Sequence, residues 1–309
     1  MVVTLLIFLI FFPKKQLHNS KLVYIQPGSN INELGKFLKE ENIINSNLLF
    51  KLIIRLSGND KKIKFGEYSF KENAKLFEII ESLINGNYYY RKIIIPECST
   101  VEEVLEIIEN NIYLKGQVID IPNEGSIFPD TYFFQRDDDK NKIIVRMQKK
   151  MYEEVNTIWK NDNSLLNSKL DLIKLASLIE AEAIENNEKY IISSVFHNRI
   201  KKSMKLQSDP TVLYSKNLKR KIKSRKIFKK DLVSDNPWNT YTREGLPLTP
   251  ICNPGKKALD AAMNPRKTSF IYFVANGEGG HRFSSNYKKH LKNIKLWKDK
   301  TRDTNEIKK

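Results

Sequence analysis

Apolar and polar positions recur along this chain with a changing period, and the changes mark its elements. Lys21-Leu22-Val23-Tyr24-Ile25 reads as a strand, and Pro27-Gly28 as a turn. Leu34, Phe37 and Leu38 then fall on one helical face behind Asn30, which can cap the helix together with Glu33 three residues on. Asn42-Ile43-Ile44-Asn45 breaks that helix, residues 48–56 form a second, and 57–60 form a loop. A short strand follows at 66–70, then a helix at 76–83 that Gly86 ends. A further strand at 88–95 stops at Pro96. The stretch 21–95 is therefore expected to be a small α+β module.

Downstream the helical period dominates. Ser99 and Glu102 have capping-box spacing for a helix running to about Asn110. Residues 124–132 are extended, polar and turn-containing, and 142–159 predict a long helix with a mixed face. Residues 170–185 and 188–199 predict two more helices. A strand at 269–275, the turn Asn276-Gly277-Glu278-Gly279-Gly280 and a return strand at 281–284 have hairpin character. A helix from Tyr287 to about Lys298 closes the pattern, and a charged tail follows. No internal repeat is evident. The fold class expected is α+β, with a mixed α/β region after the first module.

The run from Val2 to Phe12 is almost wholly apolar and is followed by Pro13-Lys14-Lys15. A spanning helix needs about 20 apolar residues, and this run is shorter. It lacks a basic segment before it and a small-residue cleavage site after it. Three readings stand: a membrane anchor whose first residues are missing, a short signal-like segment, or a buried strand or helix. The lysines after Phe12 would mark a membrane edge without settling orientation.

A length of 309 residues is enough for roughly two domains, and 40% hydrophobic content can build a core in both. The formal charge of +17 favours polyanionic partners: nucleic acid, anionic lipid or acidic wall polymer. Enrichment in Lys, Ile and Asn also follows from a biased genome composition. Cys98 and Cys252 lie far apart and outside any CxxC pattern, which argues against a zinc site and against a disulfide scaffold. The four histidines are scattered with no HExxH, so a metal site is not expected. Phosphate loops and GxSxG nucleophiles are absent. Nine basic residues crowd into 216–230 without interleaved aromatics, which reads as a solvated loop or a contact for an anionic surface, not a nucleic-acid platform.

What chemistry remains centres on one acid. On its helix Glu180 has Ala176, Ser177, Ala183 and Ile184 as neighbours, all small or uncharged. A desolvated carboxyl with a raised pKa suits a general acid near neutral pH. The plainer reading is a surface glutamate paired with a lysine. Glu182, two positions on, points to nearly the opposite side and cannot pair with Glu180. In Leu206-Gln207-Ser208-Asp209-Pro210-Thr211, Pro210 suits a first helical position, with Asp209 or Ser208 as its cap. Gln207 is free of such a duty and can hydrogen-bond a substrate. The mix in Asn236-Pro237-Trp238-Asn239-Thr240-Tyr241 resembles a sugar-binding wall, and also any ordered loop.

These stretches, taken together, resemble the MltG (YceG-like) endolytic murein transglycosylases. The likeness rests on Ala176 to Glu182, Val195-Phe196-His197-Asn198-Arg199, Leu206 to Tyr214, and Asn239-Thr240-Tyr241 with Gly245-Leu246-Pro247. It continues in Asn253-Pro254-Gly255, Asn264-Pro265, Tyr272 to Ala275 and Gly279 to Ser284, and upstream in Gly66-Glu67-Tyr68, Pro96-Glu97 and Glu124 to Tyr132. It spans about residues 21–295 in order. The resemblance implies a membrane anchor at 1–13, a LysM-like module at 21–95, a connecting region at 96–150 and a transglycosylase domain at 151–302. It implies a single-pass protein of the cytoplasmic (inner) membrane with its catalytic domain outside. It also implies non-hydrolytic cleavage of nascent peptidoglycan between N-acetylmuramic acid and N-acetylglucosamine, leaving an anhydro-muramic end, with no metal or organic cofactor. A non-catalytic peptidoglycan-binding membrane protein is the alternative. The family's catalytic glutamate falls on Glu180. Gln207, Asp209, Asn239, Tyr241, Asn198 and Arg199 are the expected substrate wall. Expected partners are peptidoglycan glycan strands, the inner membrane and, on family grounds alone, peptidoglycan synthases, with no nucleic acid. Three features depart from the pattern: Cys98 where the family has glycine, His290-Leu291 in place of a closing His-Asn pair, and the basic stretch at 216–230.

Overall fold

The computed structural model describes residues 20–71, 74–160, 165–183, 185–220 and 226–306. The expected anchor at 1–13 and part of the basic stretch, 221–225, lie outside the described residues. Among the described residues no helix is long and apolar enough to cross a membrane. The chain divides into two compact units. The first runs from the first described residue to Ile93, with Tyr113–Lys115 and Phe133–Asp138; the second holds Ile94–Ile112, Gly116–Tyr132 and the chain from Asp139 onward. The stretch expected to connect two domains thus belongs mostly to the second unit.

In the first unit, β1 (Lys21–Ile25) runs antiparallel to β2 (Gly66–Phe70), with Lys21 opposite Phe70 and Ile25 opposite Gly66. Alternation buries Val23 and Ile25 on the same face as Tyr68 and Phe70. The helices α1 (Ile31–Glu40), α2 (Asn47–Leu56) and α3 (Leu76–Asn85) supply Leu34, Leu38, Phe50, Ile54, Ile79 and Leu83 to that core. Asn30 accepts the N–H groups of Asn32 and Glu33, and the Glu33 carboxylate accepts the Asn30 N–H, the capping box read from the sequence. Gly86 ends α3 with φ +74°. β3 (Arg91–Ile94) pairs with β4 (Thr131–Phe134). β3 is shorter than the predicted 88–95, because Tyr89 gives its N–H to Glu67 instead.

The second unit is mainly helical. α4 (Val101–Glu109) is capped by Thr100 and Glu103, one residue later than expected. Ser99 cannot serve, since its hydroxyl donates to the carbonyl of Pro96 and closes the preceding turn. After α5 (Lys140–Ile158) come α6 (Lys169–Glu182) and α7 (Lys189–Lys201), both buried on most sides. Helices apolar on most sides belong inside a core, and α6 packs on α7 and on α10 (Lys256–Met263) through Leu172, Leu175, Ile179, Ile192, Leu259 and Ala262. The short helices α8 (Asp209–Arg220) and α9 (Lys229–Leu232) precede α10 in the chain. β5 (Tyr272–Ala275) and β6 (His281–Ser284) form the expected hairpin, and α11 (Tyr287–Glu306) follows. β5 starts at Tyr272, not at 269, because the Asn198 amide binds the carbonyls of Thr268 and Phe270. In the basic stretch, Lys216 turns inward, 7% exposed, onto Asp231 at 2.9 Å, unlike the solvated loop expected.

The largest departure from expectation is covalent. Cys98 and Cys252 form a disulfide across 154 residues of sequence. Their distance along the chain hid a neighbourhood made by packing: Cys98 gives its N–H to the Asn253 carbonyl, and Asn253 gives its N–H to that of Ser99. In the chain-entropy description, closing a loop this long restricts the unfolded state by about 5 kcal/mol. Reduction, or a Cys98→Ser/Cys252→Ser pair, should lower Tm by upwards of about 5 °C. Thiol titration of the unfolded, unreduced protein should find no free thiol; finding two would show that the bond does not form.

Candidate active site

Glu180 lies in the last turn of α6, and Lys189 is the first residue of α7. The break between those helices turns the chain back, so residues nine apart face each other inside the fold. Glu180 is 8% exposed and Lys189 2%. Lys189 Nζ donates to Glu180 Oε1 at 2.5 Å and to Glu97 Oε2 at 3.3 Å. The other oxygen of Glu180 accepts the Gly255 N–H at 3.0 Å. Gly255 is the N-cap of α10, so the carboxylate sits at the positive end of that helix. Glu97 in turn lies against Gly255: a Cβ there would stand 2.1 Å from Glu97 Oε1. A side chain at 255 would therefore push the Glu97 carboxylate away.

The small-neighbour expectation for Glu180 needs correction. Its helix neighbours Ala176, Ser177 and Ala183 are as predicted, and Ile184 lies outside the described residues. Its decisive partner is a buried ammonium from the next helix. Nor is it the surface pair of the plainer reading, since both groups are enclosed. Burial is the main force on Glu180 and pushes its pKa up; Lys189 and the Gly255 N–H oppose it, and Glu97 adds to the rise.

Glu182 points elsewhere, as its position on the helix required. It accepts the hydroxyl of Ser208 at 2.7 Å, and enclosure by the protein carries its pKa up to about 7. This bond anchors the Gln207-Ser208-Asp209 turn to α6. Ser208 is further held by its N–H on Thr240 Oγ1 at 2.9 Å. A third enclosed acid, Glu124, accepts the Val101 N–H and the Tyr214 hydroxyl, and burial lifts it to about 7. Asn253 ties the neighbourhood together. Fully buried, it accepts the Ile127 N–H, donates to the Ser99 carbonyl, and reaches Glu124 Oε1 at 3.5 Å.

The remaining predicted residues divide into two groups. Asn198, Arg199 and Asn239 spend their polar atoms on the framework. Asn198 holds the carbonyls before β5; Arg199 donates to the carbonyls of Ile271, Lys205 and Leu206. Asn239 donates to those of Leu232 and Ser234 and accepts the Tyr241 N–H. Gln207, Asp209 and Tyr241 form the outer group. Gln207 and Asp209 are exposed and Tyr241 is partly so. Gln207 takes a left-handed φ of +51°, which turns it out while its Oε1 still accepts from Arg199. Asp209 accepts the Tyr241 hydroxyl at 2.5 Å, and burial followed by this bond raises the Tyr241 pKa. Neither Ser208 nor Asp209 uses its side chain in the way the helix-cap expectation had it. Among the described residues no cluster of three His, Cys, Asp or Glu could hold a metal.

Sequence reasoning missed Lys189. A lysine after a helix break carries no periodic signal, and only the fold shows that its ammonium has nowhere to go but inward. Glu97 was visible within Pro96-Glu97, but with no partner to give it a role.

The fold and site define an α+β protein whose helical unit holds two enclosed carboxyls on one helix: Glu180, paired with Lys189, and Glu182, bonded to the Gln207-Ser208-Asp209 turn. The YceG-like family profile matches residues 23–296, and the chain belongs to that family. An endolytic murein transglycosylase of Bacillus subtilis (strain 168) is 31% identical over 305 residues, covering 87% of this chain and 82% of the relative. One from Streptococcus pneumoniae serotype 2 (strain D39) is 23% identical, covering 88% of this chain and 57% of its own. A crystal structure of a YceG-like protein from Listeria monocytogenes, 28% identical, superposes with a TM-score of 0.57 over 89% of this chain and 99% of the other.

The enclosed acids make stability pH-dependent. A carboxyl whose folded-state pKa stands above its unfolded value of about 4.3 stabilises the fold fully below that value. It loses that contribution as pH rises through the folded value, here about 7 for Glu182 and Glu124. Tm should therefore fall from pH 5 to pH 8. Glu182→Gln, which still offers Ser208 an acceptor but cannot ionise, should flatten that fall. Equal slopes in melting curves of the two proteins would show that Glu182 does not titrate in this range.

Proposed function

We propose that this chain is an endolytic peptidoglycan lytic transglycosylase with Glu180 as its one acid–base group. The carrying observation is the enclosed Glu180 carboxyl at the position the family resemblance assigns to catalysis, where burial favours the protonated form. Relatives named endolytic murein transglycosylase support the reaction class. Protonated Glu180 gives its proton to the bridging oxygen as the bond from the anomeric carbon of N-acetylmuramic acid breaks. The sugar's own primary hydroxyl oxygen bonds to that carbon and returns its proton to Glu180. Atoms and protons balance without water, and the product is an anhydro-muramic end. Most glycosidases use two carboxylates. The second enclosed carboxyl of this helix, Glu182, binds Ser208 and so touches the turn that carries Gln207 and Asp209. Gln207, Asp209 and Tyr241 form the sugar-facing wall, and Asn198, Arg199 and Asn239 hold it in place.

The same reading puts the protein on the outer face of the cytoplasmic membrane, anchored through residues 1–13, with the first unit as a LysM-like module. The Cys98–Cys252 bond supports an oxidising location, because cytosolic disulfides are reduced.

The test is mass spectrometry of fragments released from purified peptidoglycan. Wild-type protein should release fragments with anhydro ends, each one water lighter than its hydrolysed counterpart. Glu180→Gln should lower that release at least about a hundredfold while keeping the wild-type far-UV spectrum at the assay temperature, even where stranding Lys189 lowers its Tm. Undiminished release would leave the non-catalytic, peptidoglycan-binding alternative in its place.

A further inference from the structure

We infer that the outward face of α2 lies on an anionic lipid bilayer, with Leu48, Leu52 and Leu56 against the acyl chains and Lys51 and Arg55 at the headgroups; this rests on the anchoring reading of residues 1–13 above. The face belongs wholly to the first unit. The inner side of α2 delivers Leu49, Phe50 and Ile54 to the core. Positions i, i+4 and i+8 share the other side. There Leu48 is 79% exposed, Leu52 44% and Leu56 80%. Exposed leucines scattered singly are ordinary, but three in one row form a patch. A helix apolar on most sides belongs inside a core or against an apolar partner.

Charge decides which partner. Around the helix, Arg55 stands between the leucine row and Lys51, and α2 has no acid. The chain just beyond adds Lys61, Lys62 and Lys64, all exposed, against one acid, Asp60. Phe65 follows, 37% exposed. The nearest acid before α2 in the sequence, Glu41, is bound to Lys21 at 2.7 Å. Leucines beside cations make the pattern of a helix lying in a membrane interface, apolar side down and basic groups at the phosphates. A second copy of the chain would set these cations against their like, which opposes association. A glycan strand offers no apolar depth for three leucines.

The course of the chain brings a bilayer within reach. Lys21, which opens β1, donates to the Glu41 carbonyl and pairs with its carboxylate, at the start of the turn that leads into α2. The described chain thus enters beside that turn. The apolar run ends at Phe12, and the eight residues from there to Ser20 reach at most about 28 Å. Insertion of the run would hold α2 at high local concentration over the surface, so a weak attraction suffices.

The experiment uses the full chain on lipid vesicles, with an environment-sensitive dye on Leu52→Cys. The Cys98–Cys252 bond leaves that thiol as the site of labelling. On vesicles containing phosphatidylglycerol, nitroxide groups on the acyl chains should remove about half the dye emission or more. On phosphatidylcholine alone the loss should be clearly smaller. Adding Leu48→Ser and Leu56→Ser, both at exposed positions, should abolish the quenching while the chain still floats with the vesicles. Adding Lys51→Glu and Arg55→Glu should remove the preference for phosphatidylglycerol. A floating chain whose dye is unquenched, or is quenched equally with the serine pair or on both lipids, would overturn the inference and leave the anchor standing. So would a preference that survives the glutamate pair. Emission that falls only as labelled copies crowd the surface, without nitroxide, would assign the face to a self-interface instead. A chain that does not float at all would reject the anchoring reading, and this inference with it.

Discussion

A buried ion pair between neighbouring helices is the constraint on which the helical unit of this protein turns. Enclosing Glu180 and Lys189 removes two charges from water, and their attraction repays that only when the geometry is good and their remaining polar atoms find partners. Both conditions are met by the Gly255 N–H and by Glu97. Losing one partner of such a pair costs about 3–5 kcal/mol, because a charge is left stranded. An apolar pair would hold the two helices together at no such risk. That a core of Leu, Ile and Ala keeps an acid and a base at this point argues for chemistry, since perturbed titratable groups gather where proton transfer is done.

The surroundings of the pair are built to keep it in place. Three chain segments meet at the Asn253-Pro254-Gly255 turn. The segment at 97–99 is tied to it by the disulfide and by two backbone hydrogen bonds; α6 is tied through Glu180 and through Ser177, whose hydroxyl accepts the Ile251 N–H. Asn253 adds the segment at 127. Glu97 and Gly255, the two groups that touch the ion pair from outside its own helices, thus sit within one or three residues of the same covalent bond. Geometry at Glu180 is inherited from this junction more than from either helix alone.

Much of this was legible along the chain. Asn30 with Glu33, Gly86 and the glycine turn before His281 are local signals, each decided by a few residues, and each appears as read. The opposite orientations of Glu180 and Glu182 follow from helical geometry alone. What could not be read is what depends on distant neighbours. Ser99 and Thr100 are equally good caps on paper, and the Pro96 carbonyl decides between them. Asn198, Arg199 and Asn239 look like ligand-binding groups because amides and guanidinium are what sugars require; unpaired carbonyls next to loops require the same. Cys98 and Cys252 look unrelated until packing places them side by side.

The two acids of α6 show how one helix separates two duties. Glu182 binds a hydroxyl and so fastens a loop, and enclosure by the protein carries its pKa up to about 7 against the pull of that bond. Glu180 binds an ammonium, which opposes the rise that burial gives its pKa. Burial alone would hold Glu180 neutral and make it a poor base after its proton has left. The lysine alone would hold it ionised and make it a poor acid before. The acid-then-base duty proposed for one carboxyl asks for both tendencies in near balance.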